Sequence, residues 1–261
     1  MSEPQLPTEM LDCITDFLHD NRDALKTCCL VSISWVPRTR KHLFKCVNFK
    51  YSGDFDKWKR NFPNPVKSPA IHTRSLFFRY ADRLSDADVG WIRSFTNVVQ
   101  LEMVACGILD YNRRLLSPFH GLSSTVKSLS VVWTDLKSQE VFDLICSFPH
   151  LVDLHVAGEG RIRNSGRDWT ISRLPPLTGS IVLGTLTPDF ARQLLKLANH
   201  LRFKKIMLQK MLKNSFEGVA DLAERCCDVL ECIEIDTFSS TSAKSFPPTA
   251  ISSASICRTP D

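Results

Sequence analysis

The chain has 261 residues, 43% hydrophobic and 23% charged, with a net charge of +5; these globular values exclude a low-complexity or collagen-like polymer. Its ten cysteines include no Cys-x-x-Cys, so neither a zinc knuckle nor a redox pair is signalled. The N-terminus lacks the basic-then-apolar start of a signal peptide, and no apolar run reaches membrane-spanning length.

In chain order, LPTEMLDCITDFL (residues 6–18) predicts a first helix. Pro7 suits the first helical turn, where a missing N–H costs nothing, and Glu9 complements the positive helix end. Met10, Ile14, Phe17 and Leu18 recur at helical spacing as one apolar stripe. The residues that follow supply a stop and a fresh N-cap, Asp20 or Asn21. A second helix is predicted from about Ala24 to Trp35. Leu25, Cys28, Cys29, Val31, Ser32 and Trp35 mark one side of it, while Leu30 and Ile33 point elsewhere. It is therefore apolar over more than the stripe a solvent-facing helix needs. Pro37 breaks the pattern and opens a third short helix, PRTRKHLF. Three such helices cannot bury that much apolar surface among themselves, and domains this small are marginal without a permanent partner.

Leu6-Pro7, Glu9, Ile14, Leu18, Leu25, Cys28, Leu30-Val31-Ser32, Trp35, Arg40 and Leu43-Phe44 stand in an order and spacing that resembles the F-box, especially the version opening many fungal F-box proteins. The resemblance covers residues 6–46. It implies a three-helix module that docks the Skp-type adaptor of a cullin-RING ubiquitin ligase through mostly apolar contacts. The adaptor-binding residues it implies are Leu6, Pro7, Ile14, Leu18, Leu25, Cys28, Leu30, Val31 and Trp35. Several of these also fit a private core, because an obligate interface resembles a core cut in half. Interface is favoured at Leu6, Pro7 and Val31, while Ile14 and Trp35 stay open between the two.

From Pro37 to Arg74, ten basic residues stand against two acidic ones, Asp54 and Asp56. A solvated face is the preferred account, with phosphate or an acidic protein as the alternative. Trp58, set among Lys57, Lys59 and Arg60, is the residue that would stack a base if this patch met nucleic acid.

Beyond Cys46, short alternating apolar pieces recur. Their anchors are Val47, Leu76, Leu101, Leu129, Leu154, Ile181, Ile206 and Ile233, separated by 29, 25, 28, 25, 27, 25 and 27 residues. That period is the signature of a solenoid in the leucine-rich-repeat range of about 20–29 residues. An apolar-x-x-apolar-x-apolar pattern agrees at Val98/Leu101/Met103, Val126/Leu129/Val131, Leu151/Leu154/Val156, Phe203/Ile206/Leu208 and Leu230/Ile233/Ile235. Cys106 and Thr134 fill the slot where such repeats place Asn or Cys, so the array resembles a degenerate leucine-rich repeat. Helices are predicted between strands: SDADVGWIRSF with a Ser85 cap, SQEVFDLICSF from Ser138, TPDFARQLLKLANH with Thr187 as cap, and SFEGVADLAERCCDVL. A glycine- and arginine-rich insertion, residues 158–179, reads as a long loop and a candidate ligand contact.

The expected fold class is α/β: an N-terminal tail (1–5), a three-helix F-box (6–46), a leucine-rich-repeat-like solenoid of alternating parallel strands and helices (47–238), and a disordered Ser/Thr/Pro-rich tail (239–261). A solenoid needs end caps, and none is evident after the last repeat, so its edge is either covered by the tail or exposed. Phosphate-binding loops, His-Glu-x-x-His and nucleophile elbows are missing, and Ser124-Thr-Val-Lys127 stands without companion motifs. The scattered histidines, His19, His42 and His155 among them, read as structural or solvent-facing, and no metal or other cofactor is expected. The functional expectation is a non-enzymatic substrate-recognition subunit of an SCF-type ligase in a reducing compartment, cytosol or nucleus, with a protein substrate on the repeats and no membrane contact. The alternatives are a repeat scaffold outside any ligase, or a nucleic-acid binder through residues 37–74.

Overall fold

The computed structural model describes residues 7–79, 84–105, 117–122, 124–133, 138–158, 174–184, 188–197, 201–209, 216–236 and 253–257. Eight short strands lie side by side in sequence order, all parallel: β1 (Cys46–Phe49), β2 (Ser75–Phe78), β3 (Gln100–Ala105), β4 (Ser128–Trp133), β5 (Asp153–Gly158), β6 (Ser180–Leu183), β7 (Lys205–Gln209) and β8 (Cys232–Asp236). Sequential parallel neighbours require a crossover in every connection, which is the repeat predicted from the period. The eight anchors from Val47 to Ile233 are cross-strand partners in one unbroken row. Two residues on, Phe49, Phe78, Met103, Val131, Val156, Leu183, Leu208 and Ile235 form a second row. Both rows are buried from β1 to β7 and half-buried at β8. The residues between them, Asn48, Phe77, Glu102, Ser130, His155, Val182, Met207 and Glu234, occupy the opposite face of the sheet and stay exposed or half-buried.

Backbone hydrogen bonds hold this register although the repeat length varies. The Lys45 carbonyl accepts from both Arg74 and Ser75 N–H (2.8 and 3.0 Å), and the Arg74 carbonyl from both Val99 and Gln100. The same double acceptance recurs at the carbonyls of Val99, Lys127, Gly179 and Lys204. At β6 the pair is replaced: the Val152 carbonyl accepts from Gly179 N–H, and Ser180 N–H donates to the Asp153 carboxylate. Strand entry is thus tied to the preceding repeat, and loop length is absorbed elsewhere.

Helices fill the buried side: α4 (Asp54–Asn61), α5 (Val89–Ile92), α6 (Ser138–Cys146), α7 (Pro188–Leu197) and α8 (Phe216–Arg225). The helical faces read from the sequence point inward, with Val141, Leu144, Ile145, Phe148, Phe190, Leu194, Val219 and Leu222 all buried. The segment predicted as a helix from Ser85 is shorter than expected, a 3-10 turn at Asp86–Asp88 and then the single turn α5. Its cap is also reversed: the Asp88 carboxylate accepts from the Ser85 N–H and hydroxyl, both at 2.8 Å.

The first repeat is aromatic where later ones are aliphatic. Trp58 packs edge-on or tilted against Phe44, Phe49, Phe62 and Phe95 at centroid distances of 4.7–5.8 Å. Broad rings close the end of a solenoid with few side chains, each burying a large area. Trp58 is buried, so the residue read as a potential base-stacking platform is part of this plug. Lys59 beside it bonds Asp88 (2.7 Å) and Asp56 (2.9 Å). Burial lowers the Lys59 pKa, but these two carboxylates outweigh it and leave the ammonium above its ordinary value.

At the other end the tail departs from expectation. Ser253–Cys257, within the stretch read as disordered, forms β9 and pairs antiparallel with β8, Ile256 opposite Ile233. The physical reason is the open edge of β8, whose unpaired N–H and C=O groups template another strand. The rest of the 239–261 segment, Cys106, Thr134, Thr187 and residues 159–173 of the long insertion lie outside the described residues.

Gly184 marks a close approach between neighbouring strands. A Cβ there would stand 2.5 Å from the Ala157 Cβ and 3.0 Å from its Cα, with no flexible group to yield. Gly184→Val is expected to destabilise the chain by about 1–3 kcal/mol through overpacking, measured as a lower midpoint in urea unfolding.

Candidate functional site

Before the sheet come α1 (Thr8–Phe17), α2 (Arg22–Val31), a 3-10 turn (Ile33–Trp35) and α3 (Val36–Leu43). Asn21 caps α2, its side chain accepting from Ala24 N–H at 3.0 Å. The second helix stops earlier than its apolar content predicts. Ser32 adopts an extended backbone (φ −157°, ψ 148°) and its hydroxyl accepts from Ser34 N–H. Serine competes for backbone groups in this way, so the apolar run is split and the 3-10 turn swings back against α1, α2 and α3.

The interior of this bundle is unusual in composition. Leu25 and Cys28 are buried at 1% and 7% exposure, alongside Thr15 and Thr39. Each threonine hydroxyl is satisfied within its own segment, Thr15 donating to the Leu11 carbonyl (2.8 Å) and Thr39 to that of Trp35 (2.7 Å). The apolar stripe of α1 faces out instead: Phe17 is 86% exposed, with Met10 and Ile14 also exposed. At the α2 end, Leu30, Val31 and Ile33 are 87%, 67% and 89% exposed. Six of the nine large apolar residues left exposed among the described residues fall between positions 10 and 33. Scattered single exposures are normal on a soluble surface, but this concentration is the mark of an interaction site.

The residues implied by the sequence resemblance divide accordingly. Leu6 lies outside the described residues. Pro7 is exposed at the N-cap position of α1, Ile14 is exposed on that helix, and Leu18 is half-buried at its C-cap. Leu25 and Cys28 are packing residues and offer a partner no surface. Leu30 and Val31 are open, and Trp35 is half-buried. Phe17 belongs on the exposed surface although the sequence reading did not place it there, and Ile33, pointed away from the Val31 side in that reading, is exposed beside Val31. The signal was present in Thr15, a polar residue across the helix from the Met10/Ile14/Phe17 stripe.

Electrostatics fix the mount. Arg38 Nε on α3 donates to Asp16 Oδ1 on α1 at 2.6 Å, a second guanidinium nitrogen bonds Oδ2, and His42 Nε2 meets Oδ1 at 2.7 Å. The Arg38 and His42 hydrogen bonds hold the Asp16 carboxyl well below the usual carboxylate range. A depressed carboxylate stabilises the fold above its unfolded pKa of about 3.9, and that contribution fades as pH falls through the folded value. Asp16→Asn is therefore expected to speed hydrogen exchange of α1 amides at pH 7. The difference from the parent chain should shrink in strongly acid solution.

On the open face of the sheet His155 is half-buried. His155 Nδ1 meets the Ser130 hydroxyl at 3.0 Å across β4 and β5, and burial pushes the imidazole below its ordinary pKa. This is a neutral inter-strand contact. Among the described residues, no helix is long and apolar enough to cross a membrane. No family model matches the chain, and no curated protein matches its sequence.

Proposed function

We propose that the chain is the substrate-recognition subunit of an SCF-type cullin-RING ubiquitin ligase. Its three N-terminal helices dock the Skp-type adaptor and its repeats hold a protein substrate. One observation carries the reading: the bundle turns Phe17, Leu30, Val31 and Ile33 outward while two of its buried positions are threonines. Covering side chains of this size gains about 1.5–3 kcal/mol each, the energetic profile of half an obligate interface. The F-box-like order of residues 6–46 supports a Skp-type adaptor as the partner. A free-standing scaffold would leave this surface without an occupant, and a nucleic-acid binder would lack Trp58 for stacking. In this reading the parallel array is a rigid arm, and catalysis is proximity supplied by the assembly. Mixing the purified chain with recombinant Skp-type adaptor and separating by size exclusion tests it. Co-elution is expected; separate elution at micromolar concentrations overturns the proposal.

A further inference from the structure

The two edges of the sheet are treated differently. At β8 the chain adds its own strand, β9. At β1 nothing among the described residues pairs with the outer side. In a parallel ladder, alternate residues direct both backbone groups to the same neighbour. The carbonyls of Lys45 and Phe49 accept from Ser75 and Arg79, so Lys45, Val47 and Phe49 face β2. Cys46 and Asn48 consequently present N–H and C=O outward, and both residues are exposed. Lys50 confirms the alternation, its N–H bonding the Asp54 carboxylate at 2.9 Å on the outer side.

These free groups border a groove of about 400 Å3 between β1 and α4. Its apolar wall is Phe44, Trp58 and Phe62, and its charged lining is Arg22 and Lys57. Neither cation has an ion-pair partner among the described residues, and Lys45 and Lys50 stand exposed at the two ends of β1. The carboxylate in the lining, Asp54, is already engaged by the N–H groups of Lys50 and Tyr51.

We propose that this groove binds an acidic peptide in extended form, added to the sheet as a strand beside β1. Two outward residues offer up to four main-chain hydrogen bonds, the source of affinity in strand addition. Every second side chain of the ligand then falls on the α4 side, against the half-buried Phe44 and Phe62, and is apolar. Its acidic residues answer Arg22, Lys45, Lys50 and Lys57. The inference concerns the first repeat and the start of α2, away from the exposed Leu30, Val31 and Ile33, and stands whether or not those residues meet an adaptor.

Fluorescence anisotropy on the full chain tests it, with a labelled seven-residue peptide alternating glutamate with leucine as probe. Saturable binding is expected, weakened about tenfold or more when alternate backbone nitrogens of the probe are methylated, when its glutamates become lysines, or by Lys57→Glu. The decisive pair is Asn48→Pro against Asn48→Ala. Proline is tolerated on an edge strand where the N–H faces solvent, so both variants should keep the parental thermal midpoint. Only Asn48→Pro removes the outward donor, and only it should lose binding. Equal binding by the two variants, or no binding of the glutamate probe, overturns the proposal. So does a concentration-dependent dimer, seen by sedimentation and abolished by Asn48→Pro, because β1 would then pair with a second copy.

Discussion

Leu30→Asp combined with Ile33→Asp is expected to weaken adaptor binding about a thousandfold, at roughly 2 kcal/mol or more per hot-spot residue. Folding stability should move by no more than about 0.5 kcal/mol, because both side chains are already in water. Aspartate is the informative substitution, since its charge must be stripped of water to enter an apolar interface, whereas alanine only shortens the contact. Leu25→Ala is the contrasting control. Leu25 is buried, so its truncation should cost about 2–5 kcal/mol of stability and reduce binding only by loosening the bundle. Titration calorimetry with the adaptor, paired with thermal unfolding of each variant, separates the two effects. Undiminished binding by the double aspartate variant would place the adaptor on another surface.

The second large effect belongs to the repeats. Phe142 on α6 stacks on Phe190 of α7, centroids 4.9 Å apart with planes 14° from parallel. Both rings are fully buried, so on the helical side this pair links the repeat that begins at β4 to the one that begins at β6, across the β5 repeat between them. Phe142→Ala is expected to cost about 3–5 kcal/mol, a large share of the roughly 5–15 kcal/mol that holds a domain folded. In a solenoid each repeat leans on its neighbours, so the loss should not be spread evenly. Repeats C-terminal to α6 should uncouple from those before it. Urea unfolding followed by Trp58 fluorescence, in a background where the other four tryptophans are replaced by phenylalanine, and by overall circular dichroism should give two midpoints where the same background without Phe142→Ala gives one. A single shared midpoint would show that coupling passes mainly through the strands.

Much of the architecture could be read from the sequence because each repeat must place one apolar residue at the same level of the sheet. The eight anchors from Val47 to Ile233 needed no structure to find, and they turned out to be one register row. Faces of α6, α7 and α8 were legible for the same reason, an apolar stripe opposite charged residues. The orientation of α1 was not. Periodicity finds the stripe of Met10, Ile14 and Phe17 but does not say what it faces. Here the stripe points to water and Thr15 takes the interior. Trp58 was misplaced for a related reason: sequence neighbours on a helix diverge by about 100°, so Lys57 faces solvent while Trp58 joins the plug. For the last edge the sequence left two alternatives, covered by the tail or exposed, and β9 is the first of them; composition could not choose, because an open edge recruits backbone rather than any particular side chain.

The unstaggered register also makes the face opposite the core a ruler. Asn48, Phe77, Glu102, Ser130, His155, Val182, Met207 and Glu234 form one line across the strands, one side chain per repeat. With steps of about 4.8 Å the line runs for roughly 34 Å. Whatever lies along it is read at fixed intervals, one graduation per repeat. Insertions between strands leave the graduations in place, because hydrogen bonds from each strand entry to the preceding repeat, backbone pairs except at β6 where the Asp153 carboxylate takes part, set the spacing. A substitution in this line rewrites one mark on the scale and leaves the others as they were.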